Sequence, residues 1–267
     1  MTANVGGTGA LVLAGARATG DPLCEGEGVS SKAIIDIDGA PMLSHVVRAL
    51  NGAGFEQPVW VLGGEKSDIH EASSGADIRP LSSTGDGPAS SLANALESGV
   101  GTPLLVTTAD HPLLTSEIVE AFLDAAKRMD ADICIGFARR DTIESVYPNT
   151  KRTYLPIGAK DLSGCNLFYL SNEGARAVLN YWGTVEKHRK NPWKIARKMS
   201  VGFLLQLLMH RSDAERVFSL LSNRLGATIK PVILPFADAA IDVDNAGDLA
   251  LVRDIFAKRR SAARELN

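Results

Sequence analysis

The sequence is short of everything that would staple a chain covalently or carry it through a membrane. Its three cysteines, Cys24, Cys134 and Cys165, are widely spaced, which excludes a paired CxxC zinc site and offers no disulfide framework. They read as free thiols in a reducing compartment. No apolar run approaches the roughly 20 residues that cross a bilayer, and Met1 to Gly7 lacks the basic start of a secretory signal. The formal net charge is only −3, so the global balance gives no reason to expect nucleic acid. These absences predict a soluble, cytoplasmic protein. What is present suffices for a full core: 267 residues, 45% of them hydrophobic and 22% charged, without repeats or low-complexity segments.

From Ala10 to about Ile135, strand-like runs alternate with helical patterns. The strands are expected at Ala10 to Ala14, Pro58 to Leu62, Leu104 to Thr107 and Asp132 to Ile135, and the helices at Pro41 to Asn51, Pro88 to Glu97 and Ser116 to Met129. Such alternation predicts a largely parallel sheet with crossover helices. Proline is expected to open the Pro41 and Pro88 helices, where its missing donor has no intrahelical partner anyway. After Gly136 the pattern loosens into a polar stretch from Arg139 to Lys151. A strand follows at Cys165 to Leu170, then a helix begun by Ser171. Strands at Thr228 to Leu234 and Ala240 to Asp244 precede a last helix from Ala246 to about Arg259.

The chemistry starts where the apolar run Leu104-Leu105-Val106 stops at Ala109-Asp110-His111-Pro112. In open α/β sheets ligands collect beyond the carboxyl ends of such strands, so Asp110 is a candidate metal ligand. A strand-end aspartate also serves as a turn or N-cap residue, and this segment alone leaves both roles open. The first strand opens into Leu13-Ala14-Gly15-Ala16-Arg17-Ala18-Thr19-Gly20, a small-residue loop that lets backbone amides approach a phosphate. Lys32 follows just before an apolar run, and a cation beside a glycine loop suits a triphosphate.

Together with Gly39-Ala40-Pro41-Met42-Leu43, Gly85-Asp86-Gly87-Pro88-Ala89-Ser90-Ser91-Leu92 and Asp242-Val243-Asp244-Asn245, these segments come in the order seen in nucleotidyltransferases. The chain resembles a MobA-like NTP transferase domain over roughly Ala10 to Ile135 and Pro231 to Arg259. The resemblance implies an α/β three-layer sandwich with a mostly parallel mixed sheet, the Rossmann-like glycosyltransferase-A or nucleotide-diphospho-sugar transferase type. It also implies one domain over residues 8–262 with a helical basic and apolar insertion at about 184–226. In such enzymes the opening loop and its lysine hold the nucleotide phosphates, which implicates Leu13, Ala14, Gly15, Ala16, Arg17 and Lys32. The turn before a helix lies against base and ribose, implicating Gly87, Pro88 and Ser91. The family's Mg2+ ligands match Asp110 and Asp244, with Asp242 as the alternative, since strand alternation would put both aspartates on one face. Two departures stand out: Ala16 replaces a second glycine and Gly20 an arginine, and the gap from Gly20 to Lys32 is long.

The implied reaction is attack by a phosphorylated acceptor on the nucleotide α-phosphate, with release of pyrophosphate. Several anions meet there, so catalysis is mostly positioning and neutralisation by Mg2+, Lys32, Arg17 and backbone amides. Oxygen ligands without a Cys/His cluster suit Mg2+ better than zinc. A phosphate nucleophile is already ionised, so His111 is assigned a structural or metal-shell role ahead of a base role. On the acceptor side, Lys151 and Arg152 between Tyr147 and Tyr154 read either as a surface turn or as a phosphate clamp. Asn166 lies where related enzymes line the acceptor pocket. The segment from Lys187 to Met209, basic then apolar, reads as buried helical packing or a homodimer contact, or else as a peripheral surface for the inner membrane face. Two alternatives remain beside nucleotidyl transfer: a glycosyltransferase using a nucleotide sugar, and a noncatalytic nucleotide-binding or membrane-associated regulatory module.

Overall fold

The computed structural model describes residues 5–15, 20–55, 58–73, 76–85, 87–158, 161–188, 209–210 and 213–265. The strands are β1 (Gly9–Leu13), β2 (Asp36–Ile37), β3 (Ala40–Pro41), β4 (Val59–Leu62), β5 (Ile78–Leu81), β6 (Leu104–Thr108), β7 (Ile133–Arg139), β8 (Leu162–Leu170) and β9 (Ile229–Leu234). The helices are α1 (Pro22–Glu27), α2 (Met42–Gly52), α3 (Lys66–Ala72), α4 (Pro88–Glu97), α5 (Ser116–Lys127), α6 (Arg140–Val146), α7 (Ala175–His188), α8 (Ala214–Leu225) and α9 (Ala246–Glu265). Seven strands form one sheet in the order β5-β4-β1-β6-β8-β7-β9. Every pairing in it is parallel except the two made by β8, which runs antiparallel to β6 and β7.

Strand alternation divides the sheet between two cores. Ala10, Val12 and Leu105 join α2, α3, α5 and α9 on one face, while Leu11, Leu104 and Val106 join α4, α7 and α8 on the other. Central strands buried on both faces need near-continuous apolar runs, which β1 and β6 supply. Helices on both faces of a mostly parallel mixed sheet make the expected three-layer α/β sandwich. Cys24, Cys134 and Cys165 are free and buried. No helix among the described residues is long and apolar enough to cross a membrane.

Several local expectations need correction. Helix α4 starts at Pro88, as expected, but Pro41 belongs to β3 and is the N-cap of α2 rather than its first helical residue. The stretch from Arg139 contains α6, in which only Ile143 is buried, so no apolar period announced it. The helix assigned to Ser171 begins at Ala175, because the Ser171 hydroxyl donates to the Ala131 and Asp132 carbonyls and Asn172 caps the turn instead. The expected strand at Ala240 to Asp244 is a short 3-10 turn, Asp238–Ala240, followed by an irregular loop. The long Gly20 to Lys32 gap holds α1, capped by Asp21. Of the basic and apolar segment from Lys187 to Met209, residues 189–208 lie outside the described residues.

Phe122 of α5 is fully buried, and its ring packs over Gly136 of β7, 3.4 Å from where a Cβ there would stand. Phe122→Ala is expected to cost about 3–5 kcal/mol of unfolding free energy in urea melts followed by circular dichroism. A loss near zero would show that this layer is not core.

Candidate functional site

Because β1, β4, β5 and β6 are parallel, their carboxyl ends open on one side of the sheet. Hydrogen bonds join the exits: Ala14 N donates to Leu62 O, Gly63 N to Leu81 O and Ala109 N to Leu13 O, each at 2.9 Å. Gly63 adopts φ +94°, and a Cβ there would fall 2.8 Å from Gly15 Cα and 2.9 Å from Gly15 N. The two strand exits therefore approach as closely as glycine allows. Beside them lies a cavity of about 610 Å³, lined by Ser30, Ser31, Gly63, Gly64, Ser82 and Ser83 and by the start of α3. The Gly-Gly step after an apolar strand was the sequence signal for this wall, and it went unread.

Lys32 opens the 3-10 turn capped by Ser31. Its ammonium donates to Val243 O at 2.9 Å and stands 3.3 Å from Asp244 Oδ1, 3.8 Å from Asp21 Oδ2 and 3.9 Å from Asp110 Oδ2. Lys32, Asp110 and Asp244 are thus brought together as expected, and Asp21 is an addition from the tertiary structure. Burial pushes the Asp110 carboxyl above the usual carboxylate range, while the Thr108 side chain and Lys32 hold it back. Asp110 Oδ1 is shielded from solvent and makes no hydrogen bond of good geometry. Thr115 caps α5, so Asp110 has no N-cap role there. His111 is buried with Nε2 3.2 Å from Asp238 O, and burial pushes it down to about 4, which leaves an uncharged structural ring.

The loop carrying Asp244 is held on every side. Val243 N donates to Asp110 O at 2.8 Å and Asp244 N to Asp248 Oδ2 at 3.1 Å. Arg152 pairs with Asp242 and donates to the Asp242 carbonyl and to Asp248 Oδ1, both at 3.3 Å. Asn166 sits in the left-handed region (φ +50°) at an irregularity of the β7–β8 pairing, and its amide donates to Asp242 Oδ2 at 3.0 Å. Asparagine tolerates that conformation, and such bulges re-aim side chains beside functional sites.

Two expectations change with this geometry. Asp242 and Asp244 do not share a face: Asp242 turns to Arg152 and Asn166, and Asp244 to Lys32. Arg152 is not on a surface turn, since its side chain is 10% exposed and engaged by two carboxylates. Lys151 beside it is exposed. Gly87 is the extended N-cap of α4, with Pro88 first in the helix. Ser91 is buried, sharing a 2.7 Å hydrogen bond with Ser83 and accepting from Gly85 N at 3.2 Å. It shapes the turn from within, where any side chain on Gly85 would collide with the Ser91 backbone. Leu13, Ala14 and Gly15 form the β1 exit, while Ala16 and Arg17 lie outside the described residues.

Residues 10–222 match the model of the MobA-like NTP transferase domain family. The match takes in the middle of the chain and ends before Asp244, so the Lys32 contact, rather than the family match, ties Asp244 to the site. A hypothetical transferase from Thermus thermophilus is 30% identical, with 91% of this chain and 99% of that one aligned at a TM-score of 0.76. CMP:2-keto-3-deoxy-manno-octonic acid synthetase complexed with CTP shares the fold at 18% identity, 94% and 100% coverage and a TM-score of 0.58. The 2-C-methyl-D-erythritol 4-phosphate cytidylyltransferase of Thermus thermophilus does so at 17%, 93% and 98%, and 0.53. No curated protein matches the chain by sequence.

Gly63→Ala is expected to lower stability by about 1–3 kcal/mol, because the left-handed backbone and the Gly15 contact both resist a methyl group. Denaturant melts measure this, and an unchanged midpoint would mean that the two exits are free to separate.

Proposed function

Because the chain belongs to the MobA-like NTP transferase domain family, we propose that it transfers a nucleotidyl group from an NTP to a phosphorylated acceptor and releases pyrophosphate. The observation that carries this reading is Lys32, whose ammonium stands between Asp110 and Asp244 beyond the carboxyl ends of the parallel strands. Around it, the space beside Gly15 is open where a Cβ would stand, which leaves room for phosphate oxygens, and the adjoining cavity is large enough for a nucleoside.

The donor set fits Mg2+. This ion is usually held by one or two carboxylates together with substrate phosphates and waters, not by a protein cage. Asp110 and Asp244 supply those two carboxylates, and Asp110 Oδ1 has no hydrogen bond to give up. No group of three or more acidic, His or Cys ligands competes for it among the described residues. Mg2+ bound there would neutralise charge building on the triphosphate and the departing pyrophosphate. Lys32 would then orient the phosphates and offset part of their charge.

A phosphorylated acceptor suits the site because it needs no general base. His111, beside Asp110, is buried with its Nε2 against the Asp238 carbonyl. The name of the cytidylyltransferase relative includes a 4-phosphate, which is consistent with this reading.

The test is a Mg2+-dependent pyrophosphate-release screen of four NTPs against phosphorylated sugars, polyols, cofactors and lipids. One NTP and one acceptor class are expected to give turnover. Asp110→Ala should reduce that turnover by at least about 10²-fold with the melting temperature retained, and full activity in this variant would falsify the metal assignment. Pyrophosphate-free transfer from a nucleotide sugar would instead identify a glycosyltransferase.

A further inference from the structure

Asp244 has the weakest hold of its own among the candidate metal ligands. Its carboxylate is 56% exposed, against 24% for Asp110, and its loop belongs to neither a strand nor a helix. A ligand on such a loop gives a defined geometry only if its backbone is fixed. Val243 N is tied to Asp110 O, and Asp244 N donates to the carboxylate of Asp248, a buried residue in the first turn of α9. Asp248 also accepts from Asn245 Nδ2 at 2.7 Å and from Arg152 at 3.3 Å. Arg152, anchored on Asp242, supplies the opposite charge that a buried carboxylate requires.

We propose that Arg152 and Asp248 are positioning residues that act through the Asp244 backbone to set the metal-dependent grip on the nucleotide, so that Arg152 is not an acceptor clamp. The inference rests on the reading of Asp110 and Asp244 as Mg2+ ligands. A guanidinium spanning two carboxylates has planar, forked geometry that a lysine ammonium lacks. The arrangement therefore depends on shape as well as charge. Partners that orient metal ligands typically carry 10- to 100-fold effects on metal affinity.

The experiment is calorimetric titration of the full chain with ATP, GTP, CTP and UTP, each in Mg2+ and in EDTA, reading the ratio of the two affinities. Asp248→Ala should lower that ratio by about tenfold or more while leaving the EDTA affinity unchanged. Asp248→Asn keeps an oxygen for Asp244 N but turns an N–H toward Arg152 in place of the second oxygen, and should give a ratio between the wild type and Asp248→Ala. Arg152→Lys conserves charge but not the fork, and should lower the ratio several-fold. It also carries the test should Asp248→Ala fail to fold, as judged by thermal melting. Equal losses in the alanine and asparagine variants would reduce Asp248 to a bare charge and overturn the proposal. So would an Arg152→Lys ratio equal to wild type. A wild-type protein that binds nucleotide equally in Mg2+ and EDTA would overturn the metal reading itself, which separates the two failures.

Discussion

The hydrogen bond from Lys32 to the Val243 carbonyl spans 211 residues of sequence, and the site depends on it. One ammonium gathers the N-cap of α1, the exit of β6 and the loop before α9 into a single charged cluster. Without that cation, the carboxylates of Asp110 and Asp244 would face each other across a partly buried space with only repulsion between them. Lys32 thus supplies between the two carboxylates positive charge of the kind that a divalent cation is proposed to add.

The sheet gives this cluster a rigid floor. Parallel pairing of β1 with β4 and β6 puts Gly15, Gly63 and Asp110 on one rim, and their backbone hydrogen bonds fix the spacing. On the other side of Lys32, the irregular backbone of residues 241–244 is organised by side chains rather than by strand pairing. Lys32 and Arg152 take the Val243 and Asp242 carbonyls, while Asp248 takes the Asp244 amide. A strand was expected there because the residue types alternate. Those side-chain bonds satisfy the backbone groups that a ladder would otherwise have used.

Legibility followed the strength of the local signal. Helix α4 was read to both ends, since proline opens it and an apolar stripe of Leu92, Ala95 and Leu96 faces one core. Strand β5 was missed because Arg79 and Pro80 interrupt its apolar character, as an edge strand permits. Helix α6 was missed because a single buried residue makes no period. In the site, Gly15, Lys32, Asp110 and Asp244 were recognisable from their order along the chain. Asp21, Gly63 and Asp248 were not, since each acts through a contact with a residue distant in sequence.

By itself, the sequence determined the class of fold, the order of the small-residue loop, cation and strand-end carboxylate, and the family to which they belong. Hydrophobic periodicity and short motifs are local properties, so one chain suffices to read them. Only the tertiary structure decided that Asp244 rather than Asp242 meets Lys32, that Arg152 is committed to Asp242 and Asp248, and that His111 is buried with Nε2 on the Asp238 carbonyl. Adjacent aspartates and a lone arginine carry the same charge wherever they point, and direction is set by packing.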